Sequence, residues 1–573
     1  MPPRPANSVA AHVRRVLRRY NVGTVFALAG ASQSALLDEL DKDGVRIISS
    51  RHESATVGAA DGYARVTGKI GVAFINVDHG MANAVTGIIS AFEARSPVLV
   101  LVGREPDSYT EPEMRIDHDE LAMVRGVSKW ARTVHAASRV PEYIDMACRR
   151  ALTGPCGPVL ISYPEDFLDH AGDPGVDLAG PAPPPPRVLP HDADIARAAD
   201  LLAAAKRPII IAGSEAARSR AAEAMRALSK DWQIPVFMNA MGRGLVPEDA
   251  KLGFPWPVAQ TAAKDADLVI WAGARMARRF AYGLSPRFDT QANFIQIDPD
   301  PLEIGRNRDA QVGITADVKT TIERIAAALP SRRNAPFDPA WAAAALRERL
   351  DGFAKQAAIE SAPVNPFRIG HVIGEQMPKD AIFVQDGAVI LSRTFGVLRM
   401  TEPYSYLDTY PLGSMGMGSP MAVGAAAAAK EMAEAAGTKP RPVILLTGDG
   451  AFGFYPMELS GAVQAGLDLT VFISNNNCWG NELFGQMRDI GRNVNTFFPD
   501  IRYDRIAEGM GFAARRITDA KELPGALRQA MAQRGCHLYD VVVEEPRVAN
   551  LGTIMYLDVE ETRQKHFGPV AAG

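Results

Sequence analysis

Two apolar runs in the C-terminal part of the chain each end in a polar motif, and their spacing restricts the fold. Residues 443–447 lead into Gly448-Asp449-Gly450, and residues 469–474 lead into Asn475-Asn476. Twenty-seven residues separate Asp449 from Asn476, which leaves space for a helix between two strands. Strands joined in this way are parallel. Both polar groups are therefore expected at the carboxyl edge of one sheet, where such sheets bind ligands.

The polar groups at this edge predict a particular kind of ligand. A carboxylate and an amide oxygen suit a hard cation such as Mg²⁺, which keeps other positions for phosphate oxygens. The glycines allow the backbone to approach a diphosphate closely. Gly-Asp-Gly alone is common in turns, but the order strand, Gly-Asp-Gly, helix, strand, Asn-Asn is much more specific.

The 573 residues are too many for one ordinary core. Short apolar runs alternate with helical stretches, which predicts an α/β fold with parallel sheets. A proline-rich stretch, 181–186, reads as a stiff linker, and a polar, alanine-rich helical passage covers about 330–360. We therefore expect three α/β domains, at 1–180, 190–335 and 360–573.

Composition excludes several functional classes. Hydrophobic residues make up 47% of the chain, charged residues 22%, and the net charge is −4, so no nucleic-acid partner is expected. The four cysteines have neither metal-like spacing nor a disulfide pattern. No secretory signal is expected, because residues 1–5 lack its apolar stretch, and no membrane span is expected, because no segment has the length and apolarity for one. The expected location is the cytoplasm.

A glutamate near the N-terminus is a candidate catalytic group. Glu53 follows the apolar run 45–49 and precedes an alanine- and glycine-rich helix. At such a junction it would be partly desolvated, which raises a carboxyl pKa and lets the group share a proton with a ring nitrogen. The alternative is an ordinary glutamate in the first turn of a helix.

Several motifs together resemble one enzyme family. His52-Glu53, residues 60–65 and residues 68–72 resemble the pyrimidine-domain signature of thiamine-diphosphate (ThDP)-dependent decarboxylases and carboligases. Residues 413–418 resemble the loop that wedges the cofactor, and residues 294–308 resemble the central domain. The domain order would be pyrimidine-binding, central and diphosphate-binding. Within the family, the phrases at 213–216, 365–367 and 412–416 most resemble benzaldehyde lyase, with acetolactate synthase and the 2-hydroxyacyl-CoA lyase group also near.

The resemblance implies ThDP and Mg²⁺ as cofactors and assigns roles. Glu53 would hydrogen-bond N1′ of the aminopyrimidine, and Asp449, Asn476 and the Cys478 carbonyl would ligate Mg²⁺. The other cofactor contacts would be Gly387, Ala388, Gly413, Met415, Gly448, Gly450, Ala451, Trp479 and Gly480. The site would lie at a subunit interface of a homo-oligomer, at least a dimer and by expectation a dimer of dimers. Its reaction would make or break a C–C bond beside the carbonyl of a small substrate.

The sequence departs from the family pattern around the expected substrate pocket. Asp78-His79-Gly80 stands where many relatives have Gly-Pro-Gly, so His79 is either a proton relay near the cofactor or an ordinary loop histidine. Ser32 replaces a pocket histidine. Arg115 would either hold a substrate carboxylate bidentately or pair with nearby acids such as Glu165 on a solvated loop. With Asn481, these changes predict a pocket more polar than an aromatic aldehyde needs.

Three other interpretations stay open. An acyl-CoA enzyme of the same fold, either a 2-hydroxyacyl-CoA lyase or an oxalyl-CoA decarboxylase, would act only on CoA thioesters. A degenerate regulatory subunit would be expected to lose Glu53, Asp449 or Asn476, and all three are present. The segment 211–215 lacks the multiple-glycine turn of a close flavin diphosphate, so FAD is not expected, and a dinucleotide oxidoreductase is disfavoured for the same kind of reason. The tail, 548–573, is either a lid or a frayed end.

Overall fold

Three parallel six-stranded sheets, each flanked by helices, form the chain. The computed structural model describes residues 4–76, 79–109, 119–172, 180–249, 251–544 and 566. The predicted α/β class with parallel sheets is confirmed. The pairing of every strand with its neighbours is parallel, because each connection that crosses a sheet face carries a helix or a long loop.

The first sheet has the strand order β2-β1-β3-β4-β6-β5. Its strands are β1 (Thr24–Ala27), β2 (Arg46–Ser49), β3 (Gly71–Asn76), β4 (Val98–Arg104), β5 (Trp130–Thr133) and β6 (Val159–Pro164). Its helices are α1 (Val9–Arg19), α2 (Ser34–Lys42), α3 (Glu53–Thr67), α4 (His79–Glu93) and α5 (Val140–Leu152). The fully buried central strands β3 and β4 are continuous apolar runs, as expected where helices cover both faces.

The second sheet has the order β12-β11-β10-β7-β8-β9. Its strands are β7 (Pro208–Ala212), β8 (Val236–Met238), β9 (Gly253–Pro255), β10 (Leu268–Ala272), β11 (Asn293–Asp298) and β12 (Val312–Thr315). Its helices are α6 (Asp192–Ala204), α7 (Ser214–Arg218), α8 (Ala222–Trp232), α9 (Trp256–Ala259) and α10 (Val318–Ala328). The predicted helical passage that follows is α11 (Ala340–Ala357).

The third sheet has the order β14-β13-β15-β16-β18-β17. Its strands are β13 (Ile382–Gln385), β14 (Tyr406–Asp408), β15 (Val443–Gly448), β16 (Leu469–Asn475), β17 (Ala513–Ile517) and β18 (Cys536–Val542). Its helices are α12 (Pro366–Gln376), α13 (Ala388–Thr394), α14 (Gly418–Ala436), α15 (Asp449–Phe452), α16 (Leu459–Gln464), α17 (Gly480–Asp489), α18 (Tyr503–Gly509) and α19 (Leu523–Gln533).

Helices α3 and α14 join the first and third sheets at very short range. A Cβ at Gly424 would lie 1.9 Å from the carbonyl oxygen of Ala59, and a Cβ at Gly62 would lie 2.3 Å from that of Met421. Only glycine allows the two helix backbones to touch in this way. One core therefore continues across both sheets, with the buried alanines of α14 packed against residues of α3.

This crossing predicts a large loss of stability for Gly424→Ala. The added methyl group would overlap the Ala59 carbonyl, and overpacking of this kind lowers the free energy of unfolding by about 2 kcal/mol or more. The matched control is Gly352→Ala in α11, where a Cβ meets nothing within 4 Å and removing a helical glycine is expected to stabilise by up to about 1 kcal/mol. Urea unfolding of both variants measures the difference. Equal midpoints for the two would contradict the close crossing.

Candidate active site

The two polar motifs meet at one edge of the third sheet. Strands β15 and β16 are parallel neighbours with Gly448 opposite Ser474. Asp449 begins α15 directly after β15, and Asn476 follows β16 by one residue. The adjacency inferred from their spacing is therefore correct, and it places the carboxylate and the amide side by side.

An open cleft that encloses about 960 Å³ lies over this edge. Eleven of the predicted cofactor contacts line it, and Asn481 lies beside them. Those residues are Gly387, Ala388, Met415, Gly448, Asp449, Gly450, Ala451, Asn476, Cys478, Trp479 and Gly480. Gly413 and Glu53 do not line the cleft within this chain.

Two positions of the cleft require glycine because other parts of the chain approach them closely. Gly387 has a φ of +89°, and a Cβ there would lie 2.8 Å from the backbone nitrogen of Gly448. A Cβ at Gly450 would lie 2.6 Å from the indole ring of Trp479. The backbone therefore forms the floor of the cleft at these points, where amide N–H groups can face an anion without side chains between.

Asp449 is a buried carboxylate with one oxygen that lacks a partner. The residue is 3% exposed, and its Oδ2 has no hydrogen-bond partner. Burial raises the pKa of Asp449 to about 7, although backbone N–H groups of Gly450, Asn477 and Cys478 act in the opposite direction. Such an orphaned oxygen in a cleft is the arrangement expected of a cation ligand.

The donor set around Asp449 fits Mg²⁺ rather than a transition metal. Among the described residues there is no group of three His, Cys, Asp or Glu side chains suited to a metal ion. The groups present are one carboxylate, the Asn476 amide and nearby backbone carbonyls, which are hard oxygen donors. A cation bound there would leave coordination positions for phosphate oxygens, as Mg²⁺ requires.

A network of side chains holds the loop after β16. The Nδ2 group of Asn475 donates to Oδ1 of Asp540 on β18 (2.8 Å). The Oδ1 atom of Asn475 accepts from the backbone amide of Asn477 (3.2 Å), and Oδ1 of Asn476 accepts from the backbone amide of Cys478 (3.2 Å). Asn475 thus fixes the loop to the sheet and leaves Asn476 at the cleft.

Glu53 opens α3 but does not cap it. The N-cap is His52, whose Nδ1 accepts from the amide of Ser54 at 3.1 Å. The Glu53 side chain turns instead towards α4, where Nδ2 of Asn83 donates to its Oε2 (3.0 Å). Glu53 is 4% exposed, and a Cβ on Gly80 would lie 3.2 Å from its Oε1. Burial and the hydrogen bond from Asn83 therefore hold the Glu53 carboxyl group in a defined position beside α4.

Comparison with known protein families decides the identity of the chain. Three family models match: the thiamine pyrophosphate enzyme N-terminal TPP binding domain at residues 7–123, the central domain at 195–325 and the C-terminal TPP binding domain at 391–541. The chain is a thiamine pyrophosphate enzyme. The matches fall on its three sheets in the order that the motifs predicted.

Relatives of this thiamine pyrophosphate enzyme extend over nearly its whole length. It is 29% identical over 547 residues to a probable acetolactate synthase of Mycobacterium bovis, covering 94% of this chain and 96% of that protein. It is 26% identical over 555 residues to 2-hydroxyacyl-CoA lyase 2 of Caenorhabditis elegans, covering 89% and 84%. The fold is shared with the ThDP-dependent 4-hydroxybenzoylformate decarboxylase of Rhodococcus jostii RHA1, with a TM-score of 0.82 at 24% identity over 94% and 99% of the two chains.

The three pocket candidates of this enzyme have different outcomes. Ser32 is buried, and its Oγ donates to Oδ1 of Asn76 at 3.3 Å. Within this chain the Ser32 hydroxyl group is therefore hydrogen-bonded inside the first domain. His79 is exposed and begins α4, one residue before the glycine that contacts Glu53. Arg115 lies outside the described residues, as do 545–565 and 567–573 of the tail. The catalytic roles of all three stay predictions.

Sequence reasoning missed three residues that shape the site. Asn83 binds Glu53 from the first turn of α4, and Arg393 lines the cleft from α13. Glu458 lies just before α16, and both of its carboxylate oxygens accept from the amide of Arg51 at 3.1 Å. A buried acid or arginine is a signal only once its burial is known, and no local pattern marks these positions.

Burial raises the pKa of Glu458 to about 7, and the charge of Glu53 contributes in the same direction. Its unperturbed value is 4.5, so the folded chain holds the proton more tightly than the unfolded chain does. The protonated Glu458 carboxyl group therefore makes its full contribution to the free energy of unfolding below about pH 4.5, and this contribution is lost as the pH rises to about 7.

Glu458→Gln is therefore expected to reduce the pH dependence of unfolding. Relative to the parent, the variant should gain about 3 kcal/mol as the pH rises from 4.5 to 8, because it has no charge to bury. Its amide oxygen still accepts from Arg51. Chemical unfolding at intervals across that pH range measures the gain, and parallel curves for parent and variant would show that Glu458 titrates normally.

None of the helices in the described ranges has both the length and the apolar character needed to cross a bilayer.

Proposed function

We propose that this thiamine pyrophosphate enzyme is a Mg²⁺-dependent lyase or carboligase that cleaves or forms a C–C bond beside a carbonyl, with 2-oxo acids or 2-hydroxyketones as substrates. One observation carries the proposal: the cleft joins a buried carboxylate with an orphaned oxygen, Asp449, to the amide of Asn476 and a glycine floor. The relatives named acetolactate synthase and lyase support the reaction class.

Different residues of the cleft would bind different parts of the cofactor. Asp449, Asn476 and the Cys478 carbonyl would bind Mg²⁺, and the backbone at Gly387 and Gly450 would lie against the diphosphate. Gly413 and Met415 would hold the aminopyrimidine. ThDP, when bound, supplies a thiazolium that stores the electrons left by the broken bond. The protein would supply position, water exclusion and the Glu53 carboxyl group as a hydrogen-bond partner for the aminopyrimidine.

Glu53 would act on cofactor bound by a second copy of the chain. Within one chain Glu53 does not line the cleft, yet the rim of the cleft carries large apolar side chains that are exposed. Met415 is 38% exposed and Phe454 50%, and Phe454 lies against Gly416 and the ring of Trp479 beside the cleft. Exposed apolar groups clustered beside a ligand cleft are typical of an interface. A two-fold dimer would cover them and bring in Glu53 twice, with a dimer of dimers as the expected assembly.

The cleft favours a substrate with a polar or anionic group. Asn481 and Arg393 line it together with Glu482. Burial lowers the pKa of Arg393 to about 10, which leaves the guanidinium protonated at neutral pH. A planar guanidinium is suited to a carboxylate. Because the acids Asp449, Glu482 and Glu544 line the cleft as well, its polarity rather than its net charge favours a polar substrate over an unsubstituted aromatic aldehyde.

A CoA thioester lyase is the second candidate. The similarity to 2-hydroxyacyl-CoA lyase 2 along most of both chains favours it, and the cleft is open enough to admit a long substrate. The degenerate-subunit interpretation has less support, since the acid, the cation ligands and the glycine floor are all retained.

A turnover screen distinguishes these functions. The protein, reconstituted with ThDP and Mg²⁺, would be offered pyruvate, phenylglyoxylate, benzoin, other 2-hydroxyketones and oxalyl-CoA, with CO₂, aldehyde and ketol identified by mass. We expect ketol formation or cleavage without CoA. Activity confined to the thioester would establish the second candidate, and silence on every substrate with ThDP bound would support the regulatory subunit.

A further inference from the structure

Asp386 is a buried carboxylate that joins two separate loops of the cleft. It follows β13 and is 2% exposed. Its Oδ1 accepts from the amide of Gly387 (2.7 Å), and its Oδ2 accepts from the amides of Gly416 (2.8 Å) and Gly418 (2.9 Å). One side chain therefore holds backbone groups that are about thirty residues apart in sequence.

Each of those loops contributes to the cleft. Gly387 lines the side where the diphosphate would lie, and Met415, the residue before Gly416, lines the side where the aminopyrimidine would lie. Gly387 and Gly416 have φ values of +89° and +92°, which glycine adopts readily and other residues rarely do.

The fit between Asp386 and the second loop is close. A Cβ on Gly418 would lie 2.5 Å from the Cβ of Asp386, so the loop rests directly on this side chain. Burial raises the pKa of Asp386 to about 6, and the three amides counteract that effect. The group is thus ionised at neutral pH, and an ionised acceptor binds amides about twice as strongly as a neutral one.

We propose that Asp386 is a positioning residue that sets the spacing between the Gly387 turn and the loop of Met415 to Gly418, and so the distance between the diphosphate and aminopyrimidine subsites. The inference rests on the proposed function for the identity of the ligand. Asp386 does not line the cleft; it would act through the backbone of the two loops. A merely structural role would be that of a cap for α14, whose loss lowers stability without changing the subsites.

The first test needs no cofactor. Hydrogen exchange of the apo protein, followed by mass spectrometry, is measured on the peptide that contains Gly416 and Gly418. In Asp386→Ala those amides lose their acceptor, and exchange should accelerate roughly 10- to 100-fold. In Asp386→Asn one oxygen remains, and the acceleration should be smaller. Unchanged exchange in both variants would overturn the proposal.

The second test separates positioning from stability. ThDP titrations at a temperature well below the unfolding midpoint should show half-saturation raised roughly 10- to 100-fold for Asp386→Ala, and less for Asp386→Asn. The control is Asp317→Ala, which removes the cap of α10 in the central domain, where Oδ1 accepts from the amide of Thr320 at 2.9 Å. That control should lower the unfolding midpoint and leave ThDP binding unchanged. A lowered midpoint with parental binding in the Asp386 variants would make Asp386 a cap only.

A third variant covers the case in which Asp386 variants do not fold. Gly418→Ala keeps the carboxylate but pushes the loop away from it, so it should reproduce the loss of ThDP affinity and the faster exchange. Parental values in Gly418→Ala would contradict the proposal. If the parent protein itself binds no ThDP, the proposed function is wrong. If the parent and the variants bind ThDP equally well, only the role proposed for Asp386 is wrong.

Discussion

Glu53→Gln is expected to slow hydrogen–deuterium exchange at C2 of bound ThDP by about 10²- to 10⁴-fold, the usual value of one positioned proton-transfer group. The amide keeps the shape of the side chain and can still accept from Asn83 Nδ2, which is 3.0 Å from Glu53 Oε2. It lacks the carboxyl group that would hydrogen-bond N1′ in the proposed role. Acid-quench NMR of the exchange reaction measures the rate directly.

The control for this variant is Glu431→Gln. Glu431 lies on α14 at the other end of the α3–α14 pair and binds Thr24, Tyr63 and Lys69. The Glu431→Gln variant should have a rate of C2 exchange within a few-fold of the parent rate. ThDP affinity should change little in Glu53→Gln, because the carboxyl acts on one ring nitrogen while Mg²⁺ and backbone hold the diphosphate. Parental exchange in Glu53→Gln would remove the catalytic role assigned to Glu53.

Asp449→Asn is expected to weaken Mg²⁺-supported ThDP binding by roughly 100-fold or more, since even groups that only orient a metal ligand account for 10- to 100-fold. The substitution replaces the one carboxylate of the set with a neutral amide. The apo protein should be at least as stable as the parent, because an amide is easier to bury than a carboxylate with an unpartnered oxygen. Opposite effects on binding and stability distinguish a ligand from a structural acid.

Calorimetric titration of ThDP at fixed Mg²⁺, beside thermal unfolding of the apo protein, measures both effects. Asp489→Asn is the control: Asp489 is the last residue of α17 and is exposed, so neither quantity should change. Retained affinity in Asp449→Asn would mean that the cation binds elsewhere.

The fold was predictable where apolar runs are long. The strands β3, β4, β6, β7, β10, β11, β13, β15, β16 and β18 all fall on such runs. The sequence did not indicate β8, β9 or β14, each of three residues, because so short a segment has no measurable period. It also did not indicate β17, whose edge position leaves it half-exposed and rich in arginine.

The candidate site was predictable at the sheet edge and unpredictable beyond it. Asp449 and Asn476 are placed by the parallel order of two strands, which local sequence determines. The partnership of Glu53 with Asn83, and that of Asp386 with Gly416, depend on how elements far apart in sequence pack. Such contacts have no local pattern. Glu53 does not line the cleft within one chain, and the second copy that we propose would bring it there is not described by a single sequence.

The central claim is that the active site forms between two copies, with Glu53 from one and Asp449 from the other. Co-expression of Glu53→Gln and Asp449→Asn chains with different affinity tags, followed by tandem purification, isolates the mixed dimer. If the claim is correct, one of its two sites is intact and the dimer should recover about half of the parental turnover, although each variant alone is inactive. If both groups serve one site within a single chain, every site is damaged and no activity returns, which would contradict the account.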